Sequence, residues 1–77
     1  MTKGKHLPSV RFAFTNGTHF FILNNDIGHR KVTTVAGKVG TAGKMSARYF
    51  EDRDSLRDFV DARITEKEAA GYIAVNA

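Results

Sequence analysis

The dipeptide Asn16-Gly17, set between two runs of β-forming residues, constrains this chain most. Upstream, Val10, Phe12 and Phe14 alternate with Arg11, Ala13 and Thr15, the period-two pattern of a half-buried strand. Downstream, His19 to Leu23 is apolar on both faces, which predicts a more central strand. Asn-Gly joins such runs because both residues tolerate positive φ. The fold is therefore expected to open with an antiparallel hairpin.

Asn24-Asn25-Asp26 with Gly28 predicts a second turn, because these side chains hydrogen-bond nearby backbone. A third strand is expected from about His29 to Val39, centred on Val32, Thr33, Thr34 and Val35, and a fourth from Lys44 to Phe50. The three-residue loop Thr41-Ala42-Gly43, with Gly43 left-handed, would join them. It would set Gly40 opposite Lys44, Val39 opposite Met45, Lys38 opposite Ser46 and Ala36 opposite Arg48. Val35, Val39, Met45, Ala47 and Tyr49 then share an apolar face, and Ala36, Lys38, Lys44, Ser46 and Arg48 a polar, basic one. A one-residue slip would bury the lysines.

The rest of the chain carries a helical pattern. Leu56, Phe59, Val60 and Ile64 recur at three- and four-residue spacing, forming one apolar stripe. Asp52 or Asp54 can cap the helix, acids crowd its first turn, and Gly71 suits its C-terminal stop. Tyr72 to Val75 could add a short edge strand or tuck back onto the core. Four strands and then one helix predict an α+β fold: a four- to five-stranded antiparallel sheet with one C-terminal helix packed on one face. Seventy-seven residues, 42% of them hydrophobic, suffice for one thin-cored domain over residues 9–77. Residues 1–8, polar, basic and closed by Pro8, are expected to form a flexible arm.

Charge is distributed unevenly. Residues 1–48 carry eight Lys/Arg against Asp26 alone, a net +7, while residues 49–77 carry four bases and seven acids, a net −3. A basic face opposite an acidic one would attract phosphates or an acidic protein. Lys38, Lys44 and Arg48 on the hairpin are the best phosphate-binding candidates, helped by Arg30, Lys31 and Arg11. The bland alternative is a solvated sheet face kept polar against edge aggregation.

Other chemistries find no support in the residues. There is no Cys, hence no disulfide, thiolate metal site or cysteine nucleophile. His6, His19 and His29 have no metal-ligand spacing. Gly37 and Gly43-Lys44 are separated by five residues where a phosphate loop has four, and Met45 stands where Ser or Thr would hold Mg²⁺. Asp52 and Asp54 sit where a helix needs acceptors, and no Ser-His-acid arrangement is certifiable. No catalytic residue, cofactor or metal is expected. The longest apolar stretch, Phe20 to Leu23, is far too short to span a bilayer, and no signal-peptide core follows the basic start. A cytoplasmic, cysteine-free protein is the expectation.

The segment Val35-Ala36-Gly37-Lys38-Val39-Gly40-Thr41-Ala42-Gly43-Lys44 resembles the signature of WGR domains, small modules named for a Trp-Gly-Arg triplet followed by Val/Ile-Gly and a glycine turn. The likeness continues through Tyr49-Phe50, an acidic cap, a helix with Leu56 and Phe59, Lys67 and Gly71-Tyr72, and covers roughly residues 9–75. The triplet itself reads Ala36-Gly37-Lys38. In DNA-dependent poly(ADP-ribose) polymerases the family's Trp and Arg contact a DNA break. Ala36 cannot stack there, and Lys38 keeps the charge without the bidentate fork of Arg. The charge split and the basic hairpin face, with this resemblance as additional support, lead to the expectation of a small non-enzymatic module that binds DNA or another nucleic acid through phosphates. The alternative is a protein-interaction or regulatory module. Oligomeric state and the identity of the partner stay open.

Overall fold

The computed structural model describes residues 9–75, so the arm expected over residues 1–8 lies outside the described residues. Five strands, β1 (Ser9–Thr15), β2 (His19–Asp26), β3 (Lys31–Lys38), β4 (Lys44–Tyr49) and β5 (Ile73–Ala74), form one antiparallel sheet ordered β4-β3-β2-β1-β5. The helix α1 (Arg53–Ala69) packs on one of its faces. The α+β class read from the sequence is the class observed.

Asn16-Gly17 closes the first hairpin, with Thr15 pairing to Phe20. Gly17 takes the left-handed conformation (φ 99°), whereas Asn16 does not. Instead the Asn16 Oδ1 accepts the N–H groups of Thr18 and His19 at 3.0 and 2.8 Å, mimicking backbone in the turn. The second turn falls later than its residues suggested. Asn24, Asn25 and Asp26 continue β2, paired to Thr33, Val32 and Lys31. A short 3-10 helix over Ile27–His29 makes the reversal, with the Asp26 side chain accepting from the His29 N–H. Arg30 leaves it left-handed at φ 52°, so β3 begins at Lys31 rather than His29.

The β3–β4 register differs from the expected one. Ala36 lies opposite Lys44, Val35 opposite Met45, Thr34 opposite Ser46 and Val32 opposite Arg48, a slide of four residues. The connection is longer because β3 stays bonded to β2 as far as His19–Lys38, and the Val39 N–H then reaches the Thr18 carbonyl at 2.9 Å. Chain reversal occurs over Lys38–Thr41, where the Lys38 carbonyl accepts both the Thr41 N–H and its hydroxyl. Gly43 is left-handed, as anticipated.

A four-residue slide is even, so the same residues share each face as in the expected register. What differs is the face that α1 covers. Phe12, Phe14, Phe21, Leu23, Val32 and Ala36 share a face with Ser46 and Arg48, and that is the helix side. Phe14, Phe21, Leu23 and Val32 are buried there with Leu56 and Val60 of α1, each burial worth about 1.5–3 kcal/mol. The other face, with Val35, Met45, Ala47 and Tyr49, is not covered by the helix.

Asp52 is the N-cap of α1, its Oδ1 accepting the Ser55 N–H at 2.7 Å. At the other end the Tyr72 N–H reaches the Lys67 carbonyl and the Gly71 N–H that of Glu68, a Schellman closure. It turns the chain so that Ile73 and Ala74 pair with Thr15 and Phe14 as an edge strand. Among the described residues no helix is long and apolar enough to cross a membrane.

Candidate nucleic-acid interface

The six candidate cations do not form one patch. Lys38, Lys44 and Arg48 share the helix side of the β3–β4 hairpin, with Arg48 next to α1 and the two lysines nearer the hairpin connection. Lys31 and Arg11 belong to the opposite face, and Arg30 sits at the turn before β3. Every residue of β4 is exposed, because it is an edge strand and α1 contacts the sheet mainly over β1 to β3. None of the six cations forms an ion pair among the described residues. The two ion pairs found there join Asp26 to His29 and Glu66 to Arg63.

Arg48 is held more firmly than the two lysines. Its guanidinium carbon lies 5.2 Å from the Phe50 ring centroid and 5.1 Å from that of Phe59, within cation–π range of both. Those two rings pack against each other at 5.3 Å, so strand end and helix together make a seat for one guanidinium. Arg30 is spent differently, its Nε donating to the Phe50 carbonyl at 3.3 Å. A cleft of about 290 Å³ opens beside Arg48, lined also by Val32, Thr34, Ser46, Ala47 and Phe59. Its two hydroxyls and one guanidinium offer polar contacts to an anion, and among the described residues no carboxylate or imidazole lines it.

The triplet Ala36-Gly37-Lys38 spans the end of β3. Ala36 packs on the core from the helix side, Gly37 lies on the open face and Lys38 is exposed. Two carboxyls are shifted by local contacts. Burial pushes the Asp26 carboxyl up, but hydrogen bonds from the His29 ring and backbone N–H, with nearby Lys31, hold it below the ordinary range. Asp52 is also lowered, chiefly by the Ser55 N–H bond of the helix cap. Both serve turns rather than the hairpin. Among the described residues no cluster of three or more His, Asp and Glu is placed to hold a metal ion.

Sequence reasoning grouped Val35, Met45, Ala47 and Tyr49 on one apolar face but missed that the helix leaves it open. Met45 pairs with Val35, Val35 with Ile22 and Ile22 with Ala13, whose carbonyl accepts the Val75 N–H, so an apolar row crosses β4, β3, β2 and β1 and ends at Val75, just past β5. Met45, Tyr49, Ile73 and Val75 remain 69%, 70%, 68% and 45% exposed. The alternation over Lys44–Tyr49 carried that signal, but nothing local told which side the helix would take.

No protein-family model matches the sequence. None of the curated proteins matches it either. Among solved structures, the fold is similar to part of a Bacteroides fragilis protein, a structural-genomics target, with a TM-score of 0.75 and 21% identity over 87% of this chain. The chain spans about 20% of that protein's length. The likeness establishes a shared fold.

Proposed function

We propose that the chain is a non-enzymatic binding module that holds nucleic acid through phosphate contacts at the β3–β4 hairpin. The observation that carries this reading is the placement of Lys38, Lys44 and Arg48 on one side of the β3–β4 hairpin, all exposed and none ion-paired among the described residues. Charges left without partners on a surface set up a field that draws polyanions, and phosphate contacts position a protein without reading sequence. Arg48, seated on two rings, offers a planar fork that has already lost much of its rotamer freedom. Resemblance to WGR domains adds to the reading, with Lys38 in the place of the family's Arg. Arg11 and Lys31 face the other way and contribute to the overall field.

The test is fluorescence anisotropy with labelled DNA at two salt concentrations. Three phosphate contacts give a log–log salt slope of about −3 on duplex, and each of Lys38→Glu, Lys44→Glu and Arg48→Glu should weaken binding on every sequence. Unchanged affinity in all three variants would falsify the assignment. A second reading, a protein-interaction module, is favoured by the exposure of Met45, Ile73 and Val75 on the open face. A stoichiometric protein partner retained from nuclease-treated lysate would point there.

A further inference from the structure

Strand β4 is built differently on its two sides, and it lies at the free edge of the sheet. Lys44, Ser46 and Arg48 project toward the helix side, while Met45, Ala47 and Tyr49 project toward the open face. All six are exposed. Among the described residues no strand pairs with the outer edge of β4, which leaves its outward N–H and C=O groups without a strand partner there. Lys44 and Arg48 are four residues apart, as are Met45 and Tyr49, a spacing of about 13 Å along a strand. Cations on one side and flat or pliable apolar groups on the other therefore run in parallel along one edge. From Lys44 to Phe50 there is no acid.

We infer that this edge takes a single-stranded nucleic acid in preference to a duplex, with Tyr49 as the base-stacking residue. The inference rests on the phosphate-binding reading of the hairpin and adds a class of ligand to it. A duplex keeps its bases stacked inside and offers the hairpin phosphates alone. A single strand offers phosphates and free base faces together, which is what the two sides of β4 can engage. Tyr49 is 70% exposed, and the Lys31 ammonium sits over one face of its ring, 5.7 Å from the centroid, so a base would stack on the opposite face with a cation close by. Phe20 does not compete for this role, because Gly43 lies against its ring and half-buries it. A protein strand added to the same edge is disfavoured by Lys44 and Arg48, the kind of charge that blunts edge pairing.

Anisotropy on the 77-residue chain separates the possibilities, using labelled oligothymidylate and a blunt duplex of matched length at low salt. The wild type should bind the single strand more tightly. Tyr49→Ala should lower single-strand affinity about 5- to 100-fold and leave duplex affinity unchanged, with Tyr49→Phe close to wild type. Arg48→Glu should lower both. Tyr49 is exposed, and circular dichroism melting of each variant checks that the fold is retained. If Tyr49→Ala has no effect on either probe, or the duplex binds more tightly, the single-strand inference is overturned while the phosphate reading stands on the Arg48→Glu result. If the wild type binds neither probe, both fall. A protein partner whose capture is abolished by Tyr49→Ala would likewise assign this edge to protein and overturn the inference.

Discussion

Gly37 and Gly43 meet backbone to backbone where the β3–β4 connection folds back on itself: a Cβ on Gly37 would fall 2.7 Å from the Gly43 Cα. This contact closes the connection that replaces the expected three-residue loop. It also brings Gly43 over the Phe20 ring on the open face.

Substitution at either glycine should loosen the hairpin that carries Lys38 and Lys44. Gly43→Ala would set a Cβ 2.7 Å from the Phe20 ring and 2.9 Å from the Ala36 carbonyl, at a left-handed φ of 77°. We expect a loss of about 2–4 kcal/mol from clash and backbone strain together. Gly40→Ala, which meets no neighbour within 4 Å, should lose only about 1 kcal/mol. Urea denaturation of the two variants measures the difference, and equal losses would contradict the contact.

Asn25 is 9% exposed on the helix side, opposite Val32, and its Oδ1 lacks a hydrogen-bond partner among the described residues. An orphaned amide in so thin a core is destabilising. Asn25→Val should therefore raise stability by about 1 kcal/mol or more, read as a higher urea midpoint at unchanged m-value.

Acid should weaken the fold through Asp26 and Asp52. Both carboxyls are held below the ordinary aspartate range in the folded chain. A depressed folded pKa contributes stability above the unfolded value, and that contribution is lost as pH falls through the folded one. The melting temperature should thus drop as pH falls below about 4. Asp52→Asn, which keeps a capping side chain without the charge, should flatten that part of the curve.

Arg48→Lys keeps the charge but gives up the planar group seated on Phe50 and Phe59. If that seat orders the guanidinium for phosphate, duplex affinity should fall several-fold in Arg48→Lys, about what 0.5–1 kcal/mol represents. Anisotropy at low salt reads it. Affinity equal to wild type would mean that charge alone matters at this position.

The Lys67 ammonium lies 4.8 Å from the Phe21 ring centroid and 5.0 Å from that of Tyr72, tying the end of α1 to the sheet and to the turn into β5. Lys67→Gln should destabilise the fold by about 0.5–2 kcal/mol, and Tyr72→Leu should weaken much of the same interaction. A double-mutant cycle in urea would show the coupling as non-additive losses.

Much of the fold was legible in short stretches. Alternation marked β1, Asn16-Gly17 marked its turn, and Leu56, Phe59, Val60 and Ile64 marked the inward stripe of α1 between an Asp52 cap and a Gly71 stop. Each is a property of neighbours within a few residues. Asn24 to Asp26 misled, because three turn-forming side chains in a row can also pair as a strand when Thr33, Val32 and Lys31 lie opposite. Of the candidate interface, the identity of the cations and their shared face with Ser46 were legible, and the seat of Arg48 was not. That seat needs Phe59 from a helix eleven residues further on.

The sequence by itself determined which residues lie on the same side of each strand, since a period of two survives any even slip. Tertiary structure decided which even slip occurs and which side is covered. The first follows from β3 staying bonded to β2 through Lys38 while Gly37 and Gly43 pass in contact. The second follows from Leu56 and Val60 burying Phe14, Phe21, Leu23 and Val32 rather than the Met45 and Tyr49 side. Face parity is a local property of the chain, whereas coverage is a competition between distant apolar surfaces for one helix. That competition places Lys38, Lys44 and Arg48 on the helix side of the sheet and leaves Met45 and Tyr49 open on the other.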